Sequence, residues 1–564
     1  MKMRQLIECV PNISEGRDMS IINEIAHTAE TVEGVKLLDI DPGRATNRTV
    51  KTFVGEPDAV IEAAYRLIKK ASELIDMRKH KGEHPRMGAT DVCPLVPIAN
   101  ISMEETAGYA QKLGERVGKE LNIPVYLYEN AAKIAERKNL AYCRSGEYEG
   151  LSKISEAKWK PDFGPDKFNA SVQKTGVTAV GARDFLIAYN VNLNTTSSRR
   201  ANSIAFDLRE AGRVKREGNP LTGKIITDKN GEPVREPGKL KSVKGIGWYI
   251  EEYGIAQLSL NLTNISITPM HIAFDEACKS ALERGIRVTG SEIVGLVPLQ
   301  AMLDAADYFL IKQERSLGIS EKEKIKIAVK SLGLDDLGPF NPEEKIIEYM
   351  LDKGDQNPLV NMKLTDFAVE TSAESPAPGG GSVAAYVGAL GISLGTMVAN
   401  LSAHKRGWDD RWEEFSSWAV KGMELQKKLL AKVDQDTEAF NQIMEAFGLP
   451  KSSEEEIKQR KAAIEEATKH AINVPYEVMT LALDSLIIIE KMTEIGNPNS
   501  VTDAAVGGLC ARTAVMGAFL NVKINAAGLE DKAFAKKIVS QGEKVLARAQ
   551  KIEENILKIT ESKI

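Results

Sequence analysis

Thr90-Asp91-Val92-Cys93-Pro94-Leu95-Val96-Pro97-Ile98 is an apolar run of strand length, and it has a counterpart far downstream in Ser291-Glu292-Ile293-Val294-Gly295-Leu296-Val297-Pro298-Leu299. Each sets an acid before an apolar pair and ends in Leu-Val-Pro followed by an aliphatic residue. Working outward from the first copy, Leu6–Val10, Val35–Asp41 and Thr49–Val54 read as strands, while Met19–Val32 and Ala59–Met77 carry helical periodicity. A further helix (Glu104–Leu121) and strand (Val125–Tyr128) follow. Around the second copy, Asp184–Asn192, Ile246–Glu251 and Ala256–Leu262 read as strands, Arg199–Arg209 and His271–Arg284 as helices, and Ile293–Leu299 as the closing strand.

Both halves therefore run β-α-β-β-α-β, the order of a ferredoxin-like unit with helices on one face of an antiparallel sheet; the shared run has two readings, an ancient duplication or one short chance match. Between strands of the second unit, Lys224–Glu236 holds Asn230-Gly231, a hairpin signal, and reads as a surface excursion. Near residue 360 the regime changes. Past the polar stretch Asp352 to Pro358, β signals fade and helical periodicity dominates. Ser453 and Glu456 form a capping box for a helix through His470, and Phe534, Ile538, Val545, Ala549, Ile552, Ile556 and Ile559 share one helix face. The expected architecture is α+β plus all-α: residues 1–183 and 184–350 as tandem ferredoxin-like subdomains, 351–361 as linker, and 362–564 as a helical bundle.

The chain's 564 residues allow about four structural units at ~150 each. Its 74 basic and 79 acidic side chains nearly cancel, which weighs against a nucleic-acid binder. Five scattered cysteines without a C-x-x-C pair predict neither a disulfide framework nor structural zinc, and fit a reducing cytoplasm. The opening MKMRQLIECVPN has no apolar run, so no secretory leader is expected. Ser375 to Ala403 has no Asp, Glu, Lys or Arg and is long enough for a bilayer, but its Gly, Ala, Ser and Thr content favours a close-packed helix inside a bundle over a span.

Chemistry concentrates in a few places. His80 and His84 lie in Arg78-Lys79-His80-Lys81-Gly82-Glu83-His84-Pro85-Arg86, where Pro85 and Gly88 force a loop that aims His84 from the scaffold. Two readings stand, an acid–base residue in an anion-attracting loop or a solvated basic loop; two histidines without a third ligand make a poor metal site. The second copy has Gly285 where the first has His84, which favours a site in the first half. Asp39 and Asp41 end a strand, either as site carboxylates or as a turn before Pro42-Gly43. Gly379-Gly380-Gly381-Ser382 offers helix N–H groups to an anion, or Ser382 is an N-cap; it lacks the pattern of a nucleotide loop. Asp434, Asp436 and Glu438 are either a solvated face or include one proton donor.

With these residues assembled, the chain resembles the formimidoyltransferase-cyclodeaminase family over essentially its whole length. The matching segments are Glu8 to Gly16, Asn47-Arg48-Thr49, His80 to Asp91, Pro161 to Pro165, Gly181-Ala182-Arg183, Gly245 to Tyr249, and Ala377 to Ala385. The resemblance implies a bifunctional folate enzyme of histidine degradation. A transferase moves the formimino group of N-formimino-L-glutamate to N5 of tetrahydrofolate, mono- or polyglutamylated, and a helical cyclodeaminase makes 5,10-methenyltetrahydrofolate and ammonia. It implies His84 as the transferase acid–base residue, Asp41 as its supporting carboxylate and Asp436 as the cyclodeaminase acid. The family's folate segment falls on Gly176, Val177, Thr178, Ala179, Val180, Gly181, Ala182, Arg183, Asp184 and Phe185. No metal, nucleotide, nucleic acid or membrane span is implied; a cytoplasmic homo-oligomer, as in the family's ring of dimers, is. The Val214–Leu240 stretch is longer than the family pattern. The alternative is a transferase whose helical part is an inactive oligomerisation scaffold.

Overall fold

The computed structural model describes residues 5–44, 47–82, 86–218, 223–351, 358–374 and 377–564. Most of the 351–361 linker therefore lies outside the described residues. The chain divides into two units, 1–301 with 332–351, and 302–331 with 352–564.

The first unit opens with β1 (Leu6–Cys9), β2 (Asn12–Ile13), α1 (Met19–Glu30), β3 (Val35–Gly43), β4 (Arg48–Gly55), α2 (Pro57–Leu74) and β5 (Thr90–Ala99), followed by α3 (Met103–Glu120), β6 (Val125–Glu129) and β7 (Thr178–Ala182). The helix starts are written locally. Asp18 accepts the N–H groups of Ser20 and Ile21 ahead of α1, Pro57 occupies the first position of α2, and Ser102 with Glu105 forms a capping box at α3. The strand β3 lies antiparallel on β4, β4 on β1 and β2, and these on β5; β7 and β6 then extend the sheet in parallel. The parallel pair is buried on both faces, which explains its unbroken apolar character. Alternation along β1 sends Ile7 and Cys9 into the helix-covered core and Glu8 to the other face. Lys51 on β4 is the anomaly of this region: it is fully buried, its Nζ has no hydrogen-bond partner among the described residues, and burial pushes its ammonium down to about 7.

The second sheet has β8 (Ile187–Leu193), α4 (Ser198–Leu208), β9 (Val243–Ile250), β10 (Ile255–Leu262), α5 (Met270–Leu282) and β11 (Val288–Val294), antiparallel throughout in the order β9-β10-β8-β11. The corresponding strands of the first sheet run β3-β4-β1-β5, so both put their first strand between the third and fourth. The chain thus contains two tandem α/β subdomains before its helical part. The excursion expected in the second is present: Thr227 bridges Pro233, Gly231 sits at φ +85°, and Asp228 accepts the N–H groups of Asn230 and Glu232. The closing strand differs from expectation. It covers Val288–Val294 rather than Ile293–Leu299, because Gly295 at φ +83° turns the chain out of the sheet. Val297 is buried by bridging Ile346, and Leu299 begins a helix.

The helix α6 (Leu299–Lys312) spans the boundary between the units, and α7 (Glu321–Leu332) follows. The second unit continues with α8 (Leu364–Thr371), α9 (Gly380–Ala403), α10 (Trp412–Gly448), α11 (Glu454–Ile495), α12 (Val501–Ala527) and α13 (Lys532–Glu561). Small residues let α9 and α12 come close: a Cβ on Gly391 would lie 2.7 Å from the Gly507 carbonyl oxygen, and one on Gly507 equally close to that of Gly391. Three helical stretches, Gly380–Ala403, Glu454–Ile495 and Pro498–Ala527, are long and apolar enough to cross a membrane by length and composition, and half or more of each apolar window is buried within the chain.

The helix α11 starts at the expected capping box but runs past His470 to Ile495, through Pro475. Proline has no N–H, which frees the Ala471 carbonyl four residues earlier, and the Asn525 side-chain amide donates to it at 2.9 Å. The α13 stripe faces inward, with Ile538, Ala549, Ile552 and Ile556 buried in the core of its own unit. An exposed apolar face lies on α12, through Val506, Leu509, Met516, Leu520 and Ile524.

Candidate functional site

Two clefts open on the face of the first unit away from α1 and α2. One, of about 630 Å³, is lined by Glu8, Asn12, Asp39, Asp41, Arg183 and Lys345 among others. The second, of about 670 Å³, is lined by Arg48, Arg144, Arg183 and Lys244, with Glu129, Glu147 and Asp184 opposing them. Asn12, Arg183 and Leu186 line both, so the clefts meet there.

A buried ion cluster organises the second cleft. The carboxylate of Asp91, fully buried on β5, accepts from Arg48 Nη1 at 2.8 Å, Arg144 Nη2 at 2.5 Å and the Met87 N–H at 2.9 Å. Arg48 also donates through Nε to Asn12 Oδ1 at 3.0 Å. One carboxylate between two guanidiniums leaves the wall net positive with its cations held in place, an arrangement that suits a carboxylate ligand. Sequence reading quoted Arg48 and Asp91 without giving them a role and passed over Arg144. The available signal was an acid inside an apolar strand, which must be paired to be buried.

The folate segment divides in two. Gly176 sits at φ +67°, where a Cβ would come within 2.2 Å of the Met87 carbonyl oxygen. Val177, Thr178, Ala179, Val180, Gly181 and Ala182 are buried on and just before β7 in the sheet interior. Beyond the strand end, Arg183 reaches both clefts, Asp184 the cationic one and Phe185 the other. Asp41 stands with Asp39 on β3 at the rim of the first cleft, and partial burial together with Asp41 raises the Asp39 carboxyl above its ordinary value.

His84 lies outside the described residues. On its N-terminal side, His80 Nε2 lies 2.8 Å from the Asn47 carbonyl oxygen, and Asn47 Nδ2 donates to the Lys81 carbonyl at 3.0 Å. Burial lowers the His80 imidazole, which keeps it neutral and fit for that contact. On the other side, Arg86 forms a bidentate pair with Glu149 at 2.8 Å. Gly82 and Arg86 line a depression whose Gly146 and Glu147 also line the cationic cleft.

In the second unit the three acids separate completely. Asp434 is 4% exposed and accepts the N–H groups of Leu359 and Val360, a structural role. Glu438 is exposed. Asp436 lies between them against the N-terminus of α9, in a cavity of about 120 Å³ lined also by Gly380, Gly381, Thr437, Asn521 and Asn525. Its carboxyl accepts the Ser382 N–H, and Ser382 Oγ lies 3.2 Å from Oδ2 and 2.8 Å from the Val433 carbonyl oxygen. The N-cap of α9 is Gly379, not Ser382. A Cβ on Gly381 would sit 2.1 Å from Asp436 Oδ1, so glycine there makes room for the acid. Burial raises the Asp436 carboxyl, and the Ser382 hydrogen bonds only partly oppose it. The glycine-rich stretch and the acid, read separately in sequence, form one site.

Comparison with known proteins matches three successive stretches of the chain. Residues 6–183 match the description "Formiminotransferase domain, N-terminal subdomain", residues 188–352 "Formiminotransferase domain", and residues 363–544 "Formiminotransferase-cyclodeaminase". The formimidoyltransferase-cyclodeaminase of Mus musculus is 42% identical over 537 residues, covering 95% of each chain. The glutamate formimidoyltransferase of Streptococcus pyogenes is 41% identical over 309 residues, 55% of this chain and 94% of its own. The methenyltetrahydrofolate cyclohydrolase of Methylorubrum extorquens is 35% identical over 204 residues, 36% of this chain and 98% of its own.

Proposed function

The chain belongs to the formimidoyltransferase-cyclodeaminase family, and from that premise we propose how its two units divide the work. The first transfers the formimino group of N-formimino-L-glutamate to N5 of tetrahydrofolate and releases glutamate. The second closes 5-formiminotetrahydrofolate to 5,10-methenyltetrahydrofolate with loss of ammonia. The observation that carries this reading is that each unit has its own site chemistry: a cationic cleft joined to a second cleft in the first, and a half-buried carboxyl of raised pKa in the second.

In transfer, N5 attacks the formimino carbon, N5 loses its proton, and the glutamate nitrogen gains one as its bond to that carbon breaks. His84 serves both proton movements, Asp41 supports it, and the Arg48–Arg144 wall holds the glutamate carboxylates. Within the folate segment, Arg183, Asp184 and Phe185 contact the ligand while the buried strand before them fixes their position. The strand order of each sheet supports reading both subdomains as ferredoxin-like. In cyclisation, N10 attacks the same carbon and loses its proton, and the formimino nitrogen leaves as ammonia after gaining two protons, the one N10 gives up and one from Asp436; a carboxyl raised by burial retains that proton nearer neutrality.

Incubation with N-formimino-L-glutamate and tetrahydrofolate, following glutamate, ammonia and methenyltetrahydrofolate absorbance together, should show all three products in equal amounts. Glutamate without ammonia would reduce the helical unit to a scaffold. The likeness to the Methylorubrum extorquens enzyme favours one second reading, hydrolysis of the methenyl product to 10-formyltetrahydrofolate, in which the absorbance would rise and then decay while ammonia stayed.

The chain assembles as a homo-oligomer through its helical unit, by the exposed α12 face of Val506, Leu509, Met516, Leu520 and Ile524. Light scattering should give a multiple of the 61.7 kDa chain mass at micromolar concentration. A monomer there would refute this assembly.

A further inference from the structure

Glu8 has no part in the chemistry above, yet its setting is unusual. It is 3% exposed in the middle of β1, and its cross-strand neighbours Val54 and Val96 are fully buried. Its side chain lines the cleft that also holds Asp39 and Asp41. Among the described residues its carboxyl has no hydrogen-bond partner. The main charges acting on it are Arg183, which favours the ionised form, and Glu348, which opposes it, and burial raises it to about 7. A buried carboxyl at a cleft wall without donors of its own is costly to the fold alone and calls for donors from a ligand.

The cleft restricts what those donors are. At about 630 Å³ it fits a heterocycle of drug-like size, and Leu38, Ile40, Phe185 and Leu186 give it apolar sides. The carboxylate-binding cations Arg48, Arg144 and Lys244 belong to the neighbouring cleft. What remains for Glu8 is a flat neutral group presenting two parallel N–H donors, matched to the two oxygens of a carboxylate as a guanidinium fork is. The 2-amino-4-oxo edge of a pterin presents this pair, through its ring N3–H and its 2-amino group. Asp39 and Asp41 compete less well, because they are exposed at the rim and adjoin each other.

We propose that Glu8 anchors the amino-pyrimidinone edge of the tetrahydrofolate pterin and is a specificity-determining residue of the transfer site; this rests on the transferase reading above. The pterin then occupies the Glu8 cleft, the amino acid occupies the cationic cleft, and the reacting atoms meet near Asn12 and Arg183, where the two join.

Calorimetric titration of the full chain with tetrahydrofolate, and with an analogue lacking the 2-amino group, tests this. Glu8→Gln should bind tetrahydrofolate about 10–100-fold more weakly, as expected for loss of a charge-assisted pair. Wild type should lose a similar factor on the analogue, whereas Glu8→Gln should barely distinguish the two ligands. The KM for tetrahydrofolate should rise by the larger factor, and that for N-formimino-L-glutamate should move much less. Thermal unfolding checks the fold; should Glu8→Gln fail it, Glu8→Asp, which keeps the charge but shortens its reach, should bind tetrahydrofolate more weakly while still preferring it to the analogue. Equal binding by wild type and Glu8→Gln, or undiminished discrimination by Glu8→Gln, would overturn the assignment. Wild type that bound tetrahydrofolate without transferring would refute the transferase reading and leave the Glu8 comparison valid. Wild type that bound no tetrahydrofolate would overturn both.

Discussion

His84→Ala should lower formimino transfer by about 10²–10⁴-fold, the usual loss when one general acid–base group is removed. The expectation rests on chemistry and on the loop's surroundings. The reaction needs a proton taken from one nitrogen and given to another near neutral pH, and imidazole is the side chain suited to both. Of the described residues on either side of it, His80 and Lys81 contact Asn47 and Arg86 pairs with Glu149. Cyclisation of preformed 5-formiminotetrahydrofolate should continue at the wild-type rate, because the Asp436 cavity belongs to the other unit. Initial rates of glutamate release, with a melting curve as control, decide the matter. Transfer within a few-fold of wild type would remove His84 from the mechanism.

Asp436→Asn should stall the sequence after transfer. Glutamate release would continue while 5-formiminotetrahydrofolate accumulated, and methenyltetrahydrofolate formation would fall by about 10²–10⁴-fold. Asparagine keeps the shape and can still accept the Ser382 N–H, so the loss would report the proton rather than the fold. The proper control is Glu438→Gln, which alters an exposed acid on the same helix and should leave cyclisation intact. Asp434→Asn is unsuitable, since that carboxylate receives the Leu359 and Val360 N–H groups in the interior, and weakening it should destabilise the unit by about 1–3 kcal/mol. Unimpaired cyclisation by Asp436→Asn would exclude this carboxyl as the acid.

Much of the fold was legible because its signals are local. The strand at Leu6–Val10, the capping box at Ser453 and Glu456 and the Asn230-Gly231 turn each need only neighbouring residues to be read. The misread strand at residues 288–299 shows the limit. Thr289, Gly290, Ser291 and Glu292 look too polar for a strand, while Leu296 to Leu299 look apolar enough to be one. Ladder pairing to β8 and the turn at Gly295 reverse the assignment, and neither is written in that segment alone. The sites divide the same way. Residue types identified the acids at 434, 436 and 438, but only packing against Leu359 and the start of α9 made one structural, set one with a raised carboxyl against a helix start, and left one exposed. Glu8 and the Arg48–Asp91–Arg144 cluster were missed because their meaning depends on partners tens of residues away. The apolar stripe of α13 was legible as a stripe, but not the fact that its own unit covers it.

The contact between Asp436 and the start of α9 carries a consequence for any attempt to make this protein hardier. Helix beginnings are routine targets for stabilisation, and Gly379 to Gly381 invite a better capping residue or a side chain with less freedom in the unfolded chain. Here the open helix end supplies the N–H that holds the acid, and the bare Cα of Gly381 is the room in which that acid sits. A stronger cap would compete for that N–H, and an added methyl would collide with the carboxyl. On the mechanism proposed above, robustness and turnover draw on the same few atoms at this helix end, so gains in heat tolerance have to come from elsewhere in the bundle.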